Sequence, residues 1–474
     1  MAAPLFRRYR SPPRRTAAGG ISSISNSIDI DMILSRDDAK AILDKALSFT
    51  HADEAEGQLS GDVQGNLRFA RNAPSTSGQT ATISLSITCV FGKKVGSYSI
   101  TQFDEESLRN AVRRAEELAK LAPESPEFMP MLGPQSYRET PQWDESTTKI
   151  SPDDRAAIAG LAIDQAGKRD LMAAGYYENG ESFSAIANTR GLFAYHRSTG
   201  ASYTLTLRTA DGSGSGWAAA ESHRAPVIDA RGVTERAIAK ALGSRNPTTL
   251  DPGAYRVILE PSAAGDMVSL FRRSLSRRSA DEGRSYFSDP EHGTKLGQKL
   301  FGDNITLYSD PVHPVVPSSP WSGDGQPLER TLWVEKGVLR NLSVGRYWAA
   351  EKNLTPVPSG SNTIMEGEEH SIDDLVAATD HGLLVTSFWY IRQVDPKTIL
   401  YTGLTRDGVF LIEGGKIVRP VVNFRWNESP AAVFANVEMM SRPERVVTRE
   451  GNQPMLAPAL KVKEFHFTSV SPST

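Results

Sequence analysis

The sequence predicts an α+β protein, with an N-terminal α/β domain over residues 32–246 and a β-rich C-terminal domain over residues 247–474, built as an antiparallel sheet or barrel. Three observations lead there. The front half interleaves helical-period segments with strands, one of them cleanly of period 2. The back half is a succession of short apolar runs separated by glycine turns. Between them, "GSRNPTTLDPG" is a break rich in proline and glycine. At 474 residues the chain also exceeds what a single core usually encloses.

Residues 1–31 stand apart. "MAAPLFRRYRSPPRRTAAGG" carries five arginines, no acidic residue and no continuous apolar stretch. It is a poor secretory signal, a weak twin-arginine match and transit-peptide-like in composition; it is read as a disordered extension or a start codon assigned too early. Met32 opens "MILSRDDAKAILDKALSF", a helix with Ser35 as N-cap and Asp38 at the capping-box position. In "TISLSITCVF", Ile83, Leu85, Ile87, Cys89 and Phe91 alternate with hydroxyl residues, which predicts a half-buried antiparallel strand with Cys89 in the core. Gly92-Lys93-Lys94 reads as the turn and "VGSYSI" as the returning strand. In "DEESLRNAVRRAEELAKLAP", Leu108, Ala111, Val112, Ala115, Leu118 and Ala119 form a stripe at helical spacing, and Pro123 ends it. A further helix starts at Ser151-Pro152 with Asp154 as capping partner and Ile158, Leu161 and Ala162 inward. Then come a strand, "ASYTLTLRT", a flexible turn, "DGSGSG", and a helix, "VTERAIAKAL".

Behind the break, "VILEP" reads as a buried strand that feeds a helix with Ala264, Met267, Val268, Phe271 and Leu275 on one face. "TLWVEKGVL", "LLVTSFWYI", "TILYTG", "GVFLIEGGKI" and "PALKVKEFHF" are the other strand candidates.

Composition excludes several functions. A net charge of −3 supplies no general attraction to nucleic acid or an anionic membrane. A single cysteine rules out an intrachain disulfide and fits a reducing, cytoplasmic setting. No P-loop, dinucleotide fingerprint or G-x-S-x-G elbow occurs, and "SGSGW" around Ser213 and Ser215 lacks a nucleophile-elbow setting. None of the eight histidines forms a His-x-His or His-x-x-x-His pair. The segment holding Glu366, Glu368, Glu369, His370, Asp373, Asp374, Asp380 and His381 could be drawn as a metal site. It reads better as an acidic loop entering a helix capped by Ser371. "SDPEHG" and "SDPVHP" read as turns.

The chain resembles the TldD/PmbA (TldD/TldE) family, also called modulators of DNA gyrase. The likeness is carried by "LRFARN", "DEESLRNAVRRAEELAKLAPESPEF", "VILEPSAAG", "GQPLERTLWVEKGVL", "HGLLVTSFWY", "VDPKTILYTGLTRDGVFLIEGGKI" and "PALKVKEF", in that order. The resemblance implies an α/β front portion and a β-rich back domain. In the TldD branch it implies a zinc peptidase, with His-Glu-x-x-x-His on the helix after the "LEP" strand and a cysteine near the C-terminus. In the PmbA/TldE branch it implies a non-catalytic partner in a heterodimer that degrades unfolded peptides and processes peptide precursors. Here Ser269, Leu270 and Ser274 fall on the three motif positions, and "VVTREGNQPMLAPALKV" holds no cysteine. Leucine has no donor atom and cannot act as a base, and a neutral hydroxyl is a poor zinc ligand. The expectation is therefore the PmbA/TldE branch, with no catalytic or metal residue in this chain and zinc in a TldD-like partner. Arg272, Arg273, Arg277 and Arg278 read either as contacts to carboxylates of a partner or peptide or as a solvated basic face. Two alternatives are an active metallopeptidase with a relocated metal site and a stand-alone homodimeric scaffold.

Overall fold

The computed structural model describes residues 33–449, 451 and 453–471. The predicted extension over residues 1–31, and Met32, lie outside the described residues. Helix α1 (Arg36–Leu47) starts as its sequence predicts: the Ser35 hydroxyl accepts the Asp38 N–H and donates to the Asp38 carboxylate. Strands β1 (Glu54–Ala70), β2 (Ala73–Phe91) and β3 (Lys94–Ile100) follow as a meander, then α2 (Glu105–Leu121), a short α3 (Glu145–Thr148) and α4 (Pro152–Gly167). Strands β4 (Leu171–Asn188), β5 (Phe193–Thr209) and β6 (Ser215–Ser222) complete an antiparallel six-stranded sheet in the order β3-β2-β1-β4-β5-β6. Helix α5 (Ala230–Gly243) packs on β5 and β6.

The predicted period-2 strand is there, with Ile83, Leu85, Ile87 and Cys89 buried. Burial raises the Cys89 thiol to about 11. Two expectations for the helices need correction. Leu118 is 46% exposed, and the buried residue next to it is Glu116. That carboxylate accepts the His51 N–H (2.6 Å) and the Thr50 hydroxyl (3.1 Å), so it caps backbone between α1 and β1. In α4, Ile158 and Leu161 are only half-buried, and Ala159, Ala162, Ala166 and Arg155 point inward, with Arg155 donating to Asn179 Oδ1 at 2.8 Å. The "DGSGSG" run is a turn only in its first half, because Ser215 and Gly216 already belong to β6.

Two glycines set the helix-to-sheet distance at the sheet's opposite edges. A Cβ on Gly96 in β3 would overlap the backbone of Ala115 and Ala119 in α2. One on Gly216 in β6 would overlap the backbone of Ala237 and Ala241 in α5. Each lets a helix backbone lie directly on an edge strand.

The back half is a closed barrel of five strands. In order around it, His381–Asp395 pairs with β7 (Ala254–Leu259), then come Leu460–Val470, Phe424–Glu428 and Leu400–Glu413, which pairs back with His381–Asp395. The two candidates "TILYTG" and "GVFLIEGGKI" turn out to belong largely to one strand, Leu400–Glu413, kinked at Asp407 (φ +57°) and Gly408 (φ +127°), with the end of the second in a separate strand, Lys416–Val421. Val257, Ile258 and Leu259 of β7 are fully buried, which matches a continuous apolar run with neighbours on both faces. A second sheet of short strands lies beside the barrel and includes Thr331–Glu335, Thr363–Met365 and Met455–Ala457. Helix α6 (Pro261–Ser274) leaves β7 and is buried along most of its length. Phe271 meets Phe287, Phe301 and Phe434 with ring centroids 5.2–5.6 Å apart. The described residues form one compact unit.

Candidate functional site

The positions singled out in the sequence lie along α6. Pro261 occupies the first helical turn, where its missing N–H costs no intrahelical bond. Glu260, just before it, pairs with Lys240 of α5 at 2.5 Å. Ser269 and Leu270 are buried, at 8% and 3% exposure, and the Ser274 hydroxyl donates back to the Leu270 carbonyl at 3.0 Å. Leu270 belongs to the main hydrophobic core together with Phe271 and Phe388.

Residues 446–449 and Gly451, near the C-terminus, lie against this helix. The Ser262 hydroxyl donates to the Val447 carbonyl (3.0 Å), and the Arg449 N–H donates to Asp266 Oδ1 (3.1 Å). A methyl on Gly265 would lie 2.8 Å from Thr448 Cγ2, and one on Gly451 2.7 Å from Ser269 Oγ. The fold therefore brings together Ser269 and the C-terminal stretch in which the family likeness implies a cysteine. At the three motif positions there are two serine hydroxyls and a leucine, and the carboxylate at this junction, Asp266, already accepts the Arg449 N–H. Ser269, Leu270 and Ser274 do not fit zinc, which takes imidazole, thiolate or carboxylate, and among the described residues no three such side chains converge here.

A buried polar network anchors the same loop. Arg449 Nη2 donates to Asp407 Oδ2 at 2.5 Å, the Ser215 hydroxyl donates to Asp407 Oδ1 at 2.5 Å, and the guanidinium lies over Trp217 at 4.1 Å. Burial lowers the Arg449 pKa, and the Asp407 charge works against that shift. Sequence reasoning missed this network. Its signal was "TRDG", where an Asp-Gly pair inside a strand marks a bulge and not a strand end. A second missed cluster joins the front sheet to the back half. Arg445 pairs with Glu221 (3.3 Å), lies 3.4 Å from His223 Nδ1 and donates to the Val315 carbonyl (2.6 Å).

The four arginines go separate ways. The Arg272 guanidinium stacks on Trp333 at 3.9 Å, with Nε and Nη1 buried without a hydrogen-bond partner among the described residues; burial pulls its pKa down to about 9. Arg277 pairs with Asp281 (2.9 Å), whose other oxygen accepts from Trp348. Arg278 forks onto Glu127 (2.7 and 2.9 Å) and reaches Glu282 (3.1 Å), and these bonds raise its pKa. Arg273 is exposed and lines a cleft of about 680 Å³. Leu270 and Ser274 share that cleft with Arg284, Arg392 and Lys397.

The acidic segment forms the capped helix expected of it. Ser371 and Asp374 make a capping box at the start of Ile372–Ala377. Glu368 accepts the Met440 N–H (2.8 Å) and Glu369 pairs with Arg442 (3.0 Å). Among the described residues, no three His, Cys, Asp or Glu side chains converge as metal ligands. Asp289 and Asp310 accept backbone N–H groups two residues on, the geometry of Asx turns. Ser213 donates to Asp211 in the β5–β6 turn.

The chain is thus of the α+β class, with helix α6 packed against a closed barrel and a C-terminal segment. The chain belongs to the PmbA/TldD family. Models of the PmbA/TldA metallopeptidase domain 1, central domain and C-terminal domain match residues 59–119, 141–245 and 252–469. TldE from Thermococcus kodakarensis superimposes with a TM-score of 0.80 at 19% identity, over 91% of this chain and 100% of that one. A protein from Thermotoga maritima described as a modulator of a DNA gyrase gives 0.79 at 17% identity, with the same coverage. At these identities the likeness concerns the fold. Among curated relatives, a TldD metalloprotease homologue from Buchnera aphidicola is 23% identical over 42% of this chain and 41% of its own length. A metalloprotease from Methanothermobacter thermautotrophicus is 23% identical over 55% of this chain and 60% of its own length. The match to an uncharacterised protein from Methanocaldococcus jannaschii, 27% identical, spans 31% of this chain and 38% of that protein. The matched stretches thus span less than two thirds of these relatives. No described helix is long and apolar enough to cross a membrane.

Proposed function

We propose that this chain is the TldE/PmbA-like, non-catalytic subunit of a TldD/TldE-type metallopeptidase complex acting on unfolded peptides or peptide precursors in the cytoplasm. One observation carries the reading. The helix and C-terminal loop are packed together, yet Ser269, Leu270 and Ser274 stand at the motif positions and Leu270 is part of the core. A side chain committed to the core is not free to hold a metal-bound water or take its proton. In this reading zinc and the catalytic base belong to a TldD-like partner, and this chain supports the partner and its peptide.

Co-expression with a TldD-like protein from the same cell tests it. The two chains are expected to co-elute, with zinc following the partner and peptide cleavage highest in the complex. Separate elution, a homodimer that ignores the partner, or zinc-dependent cleavage by this chain alone would overturn the reading.

A further inference from the structure

We propose that the cleft at the C-terminal end of α6 binds a carboxylate group of a peptide chain. Four cations line it: Arg273, Arg284, Arg392 and Lys397. None of its lining residues, among those described, is Asp or Glu. That bias is local, because the whole chain carries a net charge of −3. Of the four, Arg284 is already paired with an acid outside the lining. Glu282 pairs with Arg284 and Arg278, and Asp395 accepts the Lys397 backbone N–H at 3.0 Å.

Four segments supply the cations: the last turn of α6, the segment after the helix Arg277–Asp281, the strand His381–Asp395, and the turn after that strand, which carries Lys397. The strand's contribution depends on an irregularity. Its register with Leu400–Glu413 slips between Trp389 and Arg392, and Tyr390 sits at φ +56°. Non-glycine residues rarely occupy that region, and such positions concentrate where function requires them. As a result Ile391, Arg392 and Gln393 line the cleft consecutively, where a regular strand would present every second residue.

The chemistry favours a carboxylate on an otherwise apolar chain. Guanidinium forks match the two oxygens of a carboxylate, and serine hydroxyls on the same wall add donors. Leu270, Ile391 and Tyr401, each less than a tenth exposed, form the apolar floor of the cleft. A nucleic acid fits less well. The cleft holds about 680 Å³, the scale of a small ligand or a peptide end, and the net negative chain repels a polyanion. The identity of the ligand as a peptide rests on the proposed function, whereas the charge of the cleft does not.

Binding to the full chain, alone and in the partner complex, would be followed by fluorescence anisotropy with short labelled peptides. One peptide carries a free C-terminal carboxylate, one an internal glutamate with an amidated end, and one is neutral and amidated. At least one carboxylate-bearing peptide is expected to bind more tightly than the neutral one, and which of the two does so identifies the source of the group. The double substitution Arg273→Gln/Lys397→Gln, at exposed positions, is expected to weaken that binding about tenfold with an unchanged melting temperature. Substituting the distant, exposed Lys416 is expected to leave binding as it was. Equal binding of the neutral peptide, no effect of the double substitution, or displacement by an equal concentration of inorganic phosphate would overturn the assignment. Co-elution with the partner separates the two proposals. A chain that binds the partner but not the carboxylate peptides fails only the second, and one that binds the peptides but no partner fails only the first.

Discussion

Ser269, Leu270 and Ser274 share one helix but do different jobs. Ser269 meets the C-terminal loop at Gly451, Leu270 faces the core and the cleft, and Ser274 closes the last turn by donating to Leu270. Two neighbouring arginines are equally divergent: Arg272 is stacked inside on Trp333, while Arg273 faces the cleft. Adding back the family's motif therefore has a predictable cost. Leu270→Glu places a carboxylate where a leucine is 3% exposed, and is expected to lower stability by about 3 kcal/mol in urea unfolding. The triple substitution Ser269→His/Leu270→Glu/Ser274→His is expected to bind no stoichiometric zinc by metal analysis, because the C-terminal stretch facing the helix contains no cysteine to supply a thiolate.

At the scale of elements, the front sheet holds its helices by backbone proximity at both edges. Gly96 and Gly216 are the points of closest approach, to α2 and α5 respectively. Gly96→Val would push α2 away from β3 and uncover Ala115 and Ala119. A loss of about 3 kcal/mol is expected in chemical denaturation, with faster amide exchange in α2 than elsewhere. Sequence legibility was good at this scale where signals are local. The Ser35, Ser151 and Ser371 caps, the alternation from Ile83 to Cys89 and the β7–α6 unit were all readable from neighbours a few residues apart. Reading failed where a tertiary partner overrode periodicity. Leu118 lies in the helical stripe by spacing, yet Glu116 is the buried residue because Thr50 and His51 bring donors to it. "LLVTSFWYI" reads as an uninterrupted strand, and the bulge at Tyr390 is invisible without the partner strand it slips against.

Over the whole molecule, buried histidines make stability depend on pH. Burial lowers both His196 and His223 from 6.5 to about 4. In the unfolded chain they take up protons as pH falls through 6.5, while the folded chain does not until pH approaches 4. Their contribution to stability is thus complete above pH 6.5 and is lost as pH falls toward 4. Glu221, raised above 4.5 by burial, acts in the opposite sense: its contribution is complete below 4.5 and is lost as pH rises through its folded value. The difference between the wild type and His196→Gln isolates the histidine term. The urea midpoint of the variant is expected to fall less steeply between pH 6.5 and 4 than that of the wild type. Parallel curves would show that His196 does not remain neutral in the folded chain.

The same scale separates what the chain order dictates from what folding decides. By itself the sequence determined the α+β class, the caps and strand–helix units, the family likeness, and the absence of zinc donors at Ser269, Leu270 and Ser274. Each of these rests on residue identity or on interactions within a few residues, so it is legible in one dimension. Tertiary structure alone decided the barrel's closure, the placement of Gly451 against Ser269, the Arg449–Asp407–Ser215 network and the gathering of Arg273, Arg284, Arg392 and Lys397 around one cleft. These residues lie many positions apart along the chain. They meet only because strand pairing and apolar burial fold distant segments together, and neither spacing nor propensity records which distant partner a side chain will find.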